Sequence, residues 1–198
     1  MKEDITREEA KTRNIIGMAL GFTAMMRILD ERSNAKIEVE AQKHFERLNK
    51  VNSQDEYDVM HRSFCRWFIS NIQTAEKKLR NGRLQQSRAA SYGQAAKVLD
   101  IAAKVYVYYC GLPTTEVAQR IVPFLHGAVD TPILKELKKR LKSERPGATI
   151  PAKTIREVDE GAYGVLQSLV LKESRRRKIL RVQYDDIMWR KLNRENRL

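Results

Sequence analysis

Gly127-Ala128-Val129-Asp130-Thr131-Pro132-Ile133-Leu134-Lys135-Glu136-Leu137-Lys138-Lys139-Arg140-Leu141 reads as the entry into a basic amphipathic helix. Asp130 or Thr131 can accept a hydrogen bond from the first free backbone N–H groups, and Pro132 suits the first turn. A carboxylate held at the positive end of a helix is a chemical group as well as a cap. His126 and Gly127 precede it, and Lys and Arg crowd the helix itself.

Outward from this stretch nearly every periodic segment predicts helix. Thr6 with Glu9, Ser53 with Glu56 and Ser91 with Gln94 form three capping-box patterns. Each precedes a run of apolar residues at helical spacing. Residues 36–50 form a weaker amphipathic stretch. Tyr57, Met60, Phe64, Trp67, Phe68 and Ile72 form one stripe, expected in the core. Gly82 marks a break. Ala95 to Cys110 is almost wholly apolar, relieved by Lys97, Asp100 and Lys104; their spacing predicts a single solvated stripe. A short helix capped by Thr114 or Thr115 comes next, then the Asp130 helix, stopped near Pro146 and Gly147. Residues 154–172 predict a further helix, and Asp185 or Asp186 caps the last one. No alternating strand stands out. The expected fold is all-α, a multi-helix orthogonal bundle without significant sheet.

The 198 residues carry a net charge of +13, and the excess is unevenly placed. Residues 1–75 hold 12 basic and 12 acidic residues, whereas residues 76–198 hold 26 and 13. A neutral helical lobe (1–75) and a basic core (76–198), packed as one unit, are expected. The neutral lobe also offers a surface for a homodimer. Concentrated positive charge points to an anionic partner, and nucleic acid is the commonest large one. Lys135, Lys138, Lys139, Arg140, Arg175, Arg176, Arg177 and Lys178 are the candidate backbone-contacting residues, with DNA, as duplex, the expected partner; structured RNA presents similar charge.

Cys65 and Cys110 are the only cysteines, both in apolar runs, so both are expected reduced in the core. There is no CxxC pair, and His44, His61 and His126 lack metal-ligand spacing; no metal and no cofactor is expected. The apolar run Ile15 to Met26 is too short to span a bilayer, so a cytoplasmic, nucleoid-associated location without membrane contact is expected.

Ser91-Tyr92-Gly93-Gln94 opening a buried helix, Val129-Asp130-Thr131 after an inserted short helix, and Tyr184-Asp185-Asp186-Ile187-Met188-Trp189 near the end resemble, in that order, the helix-hairpin-helix DNA glycosylases. The spacing is most similar to the archaeal GO (8-oxoguanine) branch. The resemblance covers residues 91–141 and 183–190. It implies that Asp130 is the essential carboxylate and that Gly93 and Gln94 meet a DNA phosphate, with His126 touching a phosphate or the flipped base. The chain departs from the family in having one hairpin glycine rather than two. Aligned on Gly93-Gln94, Ala95 falls where the lyase members carry their amine; a shift of two residues brings Lys97 there. The resemblance therefore implies a monofunctional glycosylase in which Asp130 stabilises sugar charge and orients a water. Two other classes compete. One is a non-catalytic helical nucleic-acid-binding protein in a mobile-element, defence or chromosome-associated setting. The other is a helical module that meets an acidic protein.

Overall fold

A computed structural model of the chain describes residues 6–78, 82 and 84–195. Helices dominate: α1 (Arg7–Gly21), α2 (Glu31–Glu46), α3 (Gln54–Asn71), α4 (Tyr92–Ala103), α5 (Thr115–Ile121), α6 (Thr131–Glu144), α7 (Glu160–Arg177) and α8 (Arg181–Glu195). The expected all-α bundle is what forms. Among the described residues, the named strands form two small antiparallel ladders within the α3–α4 connection, and Leu29 adds an isolated bridge to Thr74. β1 (Gln73–Thr74) pairs with β4 (Arg88–Ala89), and β2 (Lys77–Lys78) with β3 (Leu84–Gln85).

The local signals act as their chemistry requires. The Thr6–Glu9 and Ser91–Gln94 capping boxes are both complete. Ser53 caps α3 by accepting from Glu56 N, but Glu56 returns its carboxylate to Asn52 N. Thr114 caps α5 and Asp159 caps α7. Asp185 and Asp186 cap nothing: α8 already begins at Arg181, which places both within the helix.

One core unites residues from both sides of position 75, from Ile16 to Met188. The α3 stripe supplies Tyr57, Met60, Phe64 and Phe68, with Trp67 partly covered at its edge. Helix α4 packs most extensively against α3 and is buried on most sides, including Leu99, Ala102 and Ala103. It does not run on as α-helix to Cys110. Lys104–Tyr109 widens into a π-turn, in which Cys110 N bonds Val105 O at 3.0 Å. Cys110 comes just after that turn and is exposed, whereas Cys65 is buried. The expectation that both are core residues holds for Cys65 alone. π-turns of this kind concentrate at functional sites.

The expected solvated stripe on α4 is also corrected. Asp100 is 2% exposed and Lys104 8%. Asp100 turns toward α3 and α7, and Lys104 toward α8. Each is kept buried by partners of opposite charge or by strong donors, which side-chain spacing on one helix does not reveal.

Candidate functional site

Four segments enclose a pocket of about 580 Å³. Helix α4 and its π-turn contribute Lys97, Ile101, Lys104, Val105 and Tyr109. The start of α6 contributes Asp130 and Ile133; α8 contributes Asp185, Asp186, Trp189 and Arg190; Phe22 and Thr23, just after α1, close one side. Phe22, Tyr109 and Trp189 are all more than half exposed, so the wall includes aromatic surface that a planar ligand can cover.

Asp130 is the N-cap of α6, as expected. Its Oδ1 accepts from Ile133 N at 2.9 Å, which aims the carboxylate at the pocket while the helix N-terminus lies behind it. Lys97 shares the pocket, and among the described residues no hydrogen bond or ion pair occupies its amine. Burial lowers the Lys97 pKa below its ordinary value, against the opposing pull of Asp130 and Asp185. An amine of this kind reaches its neutral, nucleophilic form more readily than a solvated lysine.

The far wall is acidic. Lys104 Nζ bonds Asp185 Oδ2 and, at 2.9 Å, Asp186 Oδ1. The Tyr109 hydroxyl donates to Asp186 Oδ2. One cation thus serves two carboxylates. Burial works against the charge on Lys104, yet the two acids outweigh it and hold its pKa up. Asp185 is under-compensated: burial raises it to about 6 despite the Lys104 ammonium. Its Oδ1 is buried and has no hydrogen-bond partner among the described residues, so an acceptor in need of a donor is sealed beneath the wall.

Behind α4 lies a second polar cluster, buried except at Asp58. His61 Nε2 bonds Asp100 Oδ1 at 2.9 Å. The Tyr163 hydroxyl lies 2.9 Å from Asp100 Oδ2, 2.9 Å from His126 Nδ1 and 3.2 Å from His61 Nε2. His126 Nε2 lies 2.9 Å from Asp58 Oδ1. Burial, reinforced by His61, lowers His126 to about 4. Burial also opposes charge on His61, but the facing Cys65 sulfur and Asp100 carboxylate raise it to about 10. His61, Asp100 and His126 each present a ligating atom within 4.8 Å of the others. Their sequence spacing hid this, because they reach one point from α3, α4 and the loop before α6.

Several candidate nucleic-acid residues are corrected by their surroundings. His126 is 6% exposed and bonded on both ring nitrogens, so no phosphate or base reaches it. Gly93 is buried and its N–H donates to Val158 O at 2.9 Å. A Cβ there would lie 2.2 Å from Ile155 O and 2.7 Å from Val158 Cβ. The glycine does permit close backbone approach, but to the 155–158 turn rather than to a phosphate. Gln94 is 2% exposed and spends its amide oxygen on Ser91 N.

The basic runs divide in the same way. Buried Glu173 accepts from Arg140 at 2.7 Å and Arg176 at 2.8 Å, with Arg177 at 3.8 Å. Lys138 donates to Ala152 O at 2.9 Å. Arg181 is drawn inward to Gln54 and the Phe124 carbonyl. Lys135, Lys139, Arg175 and Lys178 are exposed and, among the described residues, have no ion pair. Of the candidates these four retain a free charge.

Sequence reasoning missed Lys104, Asp185, Asp186 and Tyr109 as one constellation. The only signal for it was the late acidic-aromatic element 184–189. Among the described residues no helix is long and apolar enough to cross a membrane. Comparison with protein-family models, curated proteins and solved structures finds no match to this chain.

Proposed function

We propose that this chain is a DNA-binding, base-excising enzyme in which Lys97 and Asp130 act on a nucleotide turned out of the helix into the pocket. One observation carries the reading: an amine with no hydrogen bond or ion pair among the described residues and a helix-capping carboxylate line the same cavity. The resemblance to helix-hairpin-helix glycosylases implies Asp130 as the carboxylate, whereas alignment on Gly93-Gln94 puts Ala95, two residues before Lys97, at the amine position. The shared pocket supports Lys97 as the amine and favours a bifunctional over a monofunctional mechanism.

The steps follow from the groups present. Flipping costs a few kcal/mol of stacking, which contact with Trp189, Tyr109 and Phe22 offsets at about 1–3 kcal/mol per stacked base. As the bond from C1′ to the base weakens, positive charge grows on the sugar and Asp130 stabilises it. The neutral Lys97 nitrogen then bonds to C1′, and the base leaves with the electron pair of the old bond. One amine proton goes to the departing base, the C1′–O4′ bond opens as O4′ takes a proton from solvent, and a protonated imine joins Lys97 to the DNA. Loss of a C2′ proton then breaks the C3′–O bond and expels the 3′ phosphate, which cuts the strand.

The acceptor-rich wall supports a guanine-type base. Such a base carries adjacent N–H donors on one edge, and the spare lone pairs of the part-exposed Asp186 carboxylate can accept from them. We therefore place 8-oxoguanine first among substrates. The exposed cations Lys135, Lys139, Arg175 and Lys178 supply sequence-independent contact with the phosphates.

The test is a labelled duplex carrying 8-oxoguanine, uracil or an alkylated purine, incubated with the protein and analysed with and without hot alkali. The reading expects cleavage at the 8-oxoguanine position even without alkali. If alkali reveals no abasic site in any duplex, the enzyme reading fails. Salt-dependent binding with no excision would instead mark a non-catalytic nucleic-acid-binding protein.

A further inference from the structure

The geometry points to a structural metal site, of the zinc class, formed by His61, His126, Asp100 and Tyr163 behind α4. It is independent of the base-excision reading, since none of these residues lines the pocket.

The first ground is convergence. His61, Asp100 and His126 present ligating atoms within 4.8 Å of one another. The Tyr163 oxygen stands 2.9–3.2 Å from an atom of each. Ligand atoms around a four-coordinate zinc with bonds near 2.0 Å lie about 3.3 Å apart. The contacts of Tyr163 fall within a few tenths of an ångström of that spacing.

The second ground is the outer layer. Metal-bound histidines characteristically donate their other ring N–H to a carboxylate or carbonyl, which fixes the tautomer. His126 Nε2 faces Asp58 Oδ1 at 2.9 Å, leaving Nδ1 to face the centre. His61 Nδ1 faces the Cys65 sulfur at 3.7 Å, leaving Nε2 to face it too. Asp58 is itself fixed by Gln54 Nε2, 2.6 Å away.

A divalent cation at that point would take lone pairs of His61 Nε2, His126 Nδ1, the Asp100 carboxylate and the Tyr163 oxygen. The proton on His61 Nε2 would leave to solvent, and the charges of Asp58 and Asp100 would balance the ion.

Such an ion would tie α3, α4, α7 and the loop before α6 at one point. Asp100 lies one turn beyond Lys97 on α4, and His126 lies four residues before Asp130. The site would thus hold the two segments that carry the pocket's amine and carboxylate.

The experiment uses the full chain, purified from zinc-supplemented growth without chelator. Elemental analysis should find one zinc per chain. Chelator-stripped protein should melt at a lower temperature and regain its melting point with zinc. Titration of stripped protein with Co²⁺ should produce the visible bands of a four-coordinate ion, saturating at one equivalent. Tyr163→Phe and Asp58→Ala should each weaken cobalt binding about 10–100-fold. Less than ~0.1 metal per chain, together with a melting point unmoved by zinc and no cobalt bands, would overturn the site and leave a purely hydrogen-bonded cluster. Surface capture of the metal is separated by the variants: cobalt binding unchanged in Tyr163→Phe and Asp58→Ala also overturns it.

Discussion

Replacing Lys104 by Met would remove the cation that pairs with both Asp185 and Asp186 while keeping most of the apolar stem. In the native protein Asp185 is 8% exposed and raised from 3.8 to about 6. A carboxyl that binds its proton more tightly folded than unfolded weakens the fold as the pH rises from below 3.8 through about 6. That shift corresponds to about 3 kcal/mol, fully felt above the folded value. Without Lys104 the folded value climbs further, so the variant's added penalty falls on neutral and higher pH. Removing one partner of a buried ion pair costs about 3–5 kcal/mol. With a urea slope of about 2 kcal/mol per M, the midpoint at pH 8 should fall by about 1.5–2.5 M. At pH 5 Asp185 of the variant is protonated and the loss should be less than half as large. Urea melts of both proteins at the two pH values decide it. Equal losses at pH 5 and pH 8, or a loss under about 1 kcal/mol at pH 8, would refute the claim that Lys104 holds a buried negative charge.

Gly93→Ala should destabilise the protein by several kcal/mol, because its Cβ meets the Ile155 carbonyl at 2.2 Å. Thermal melts read the loss, and weakened DNA binding by the fraction that remains folded would contradict the packing role. Lys135→Gln and Lys139→Gln should each lower the slope of log affinity against log salt by about one. Arg140→Gln, whose guanidinium is spent on Glu136 and Glu173, should lower stability and leave that slope unchanged; fluorescence anisotropy over a salt series separates the two. Trp189→Ala should weaken binding of a lesion-containing duplex by about 1–3 kcal/mol relative to the undamaged one, and equal weakening of both would remove Trp189 from the base-contacting wall.

What the sequence disclosed was local. Capping residues such as Thr6, Ser91, Thr114 and Asp130 act within three residues of themselves, so their neighbours decide them. The stripe from Tyr57 to Phe68 was legible for the same reason, since a helix face is set by spacing. The polar interior was not. Asp100 and Lys104 read as a solvated face because their partners lie far along the chain, His61 on α3 and Asp185 on α8. Gly93 and His126 resembled ligand-contacting groups, but their partners, the 155–158 turn and Tyr163, come from remote segments too. In the basic runs, spacing could not show that Glu173, three residues before Arg176, is buried and also engages Arg140. Asp130 was found because its role as a cap and its place in the pocket depend on the same short motif. Lys97 was visible as a residue but not as a neighbour of Asp130 in the pocket, since 33 positions separate them.

Borohydride reduction of a reacting mixture tests the central claim most directly. The protein is incubated with a labelled 8-oxoguanine duplex and the reductant, then resolved under denaturing conditions. The account predicts a covalent protein–DNA band that peptide mapping places on Lys97. That band should be absent in Lys97→Gln and reduced at least 100-fold in Asp130→Asn. Excision of the base without any trapped band, or a band that persists in Lys97→Gln, would contradict it.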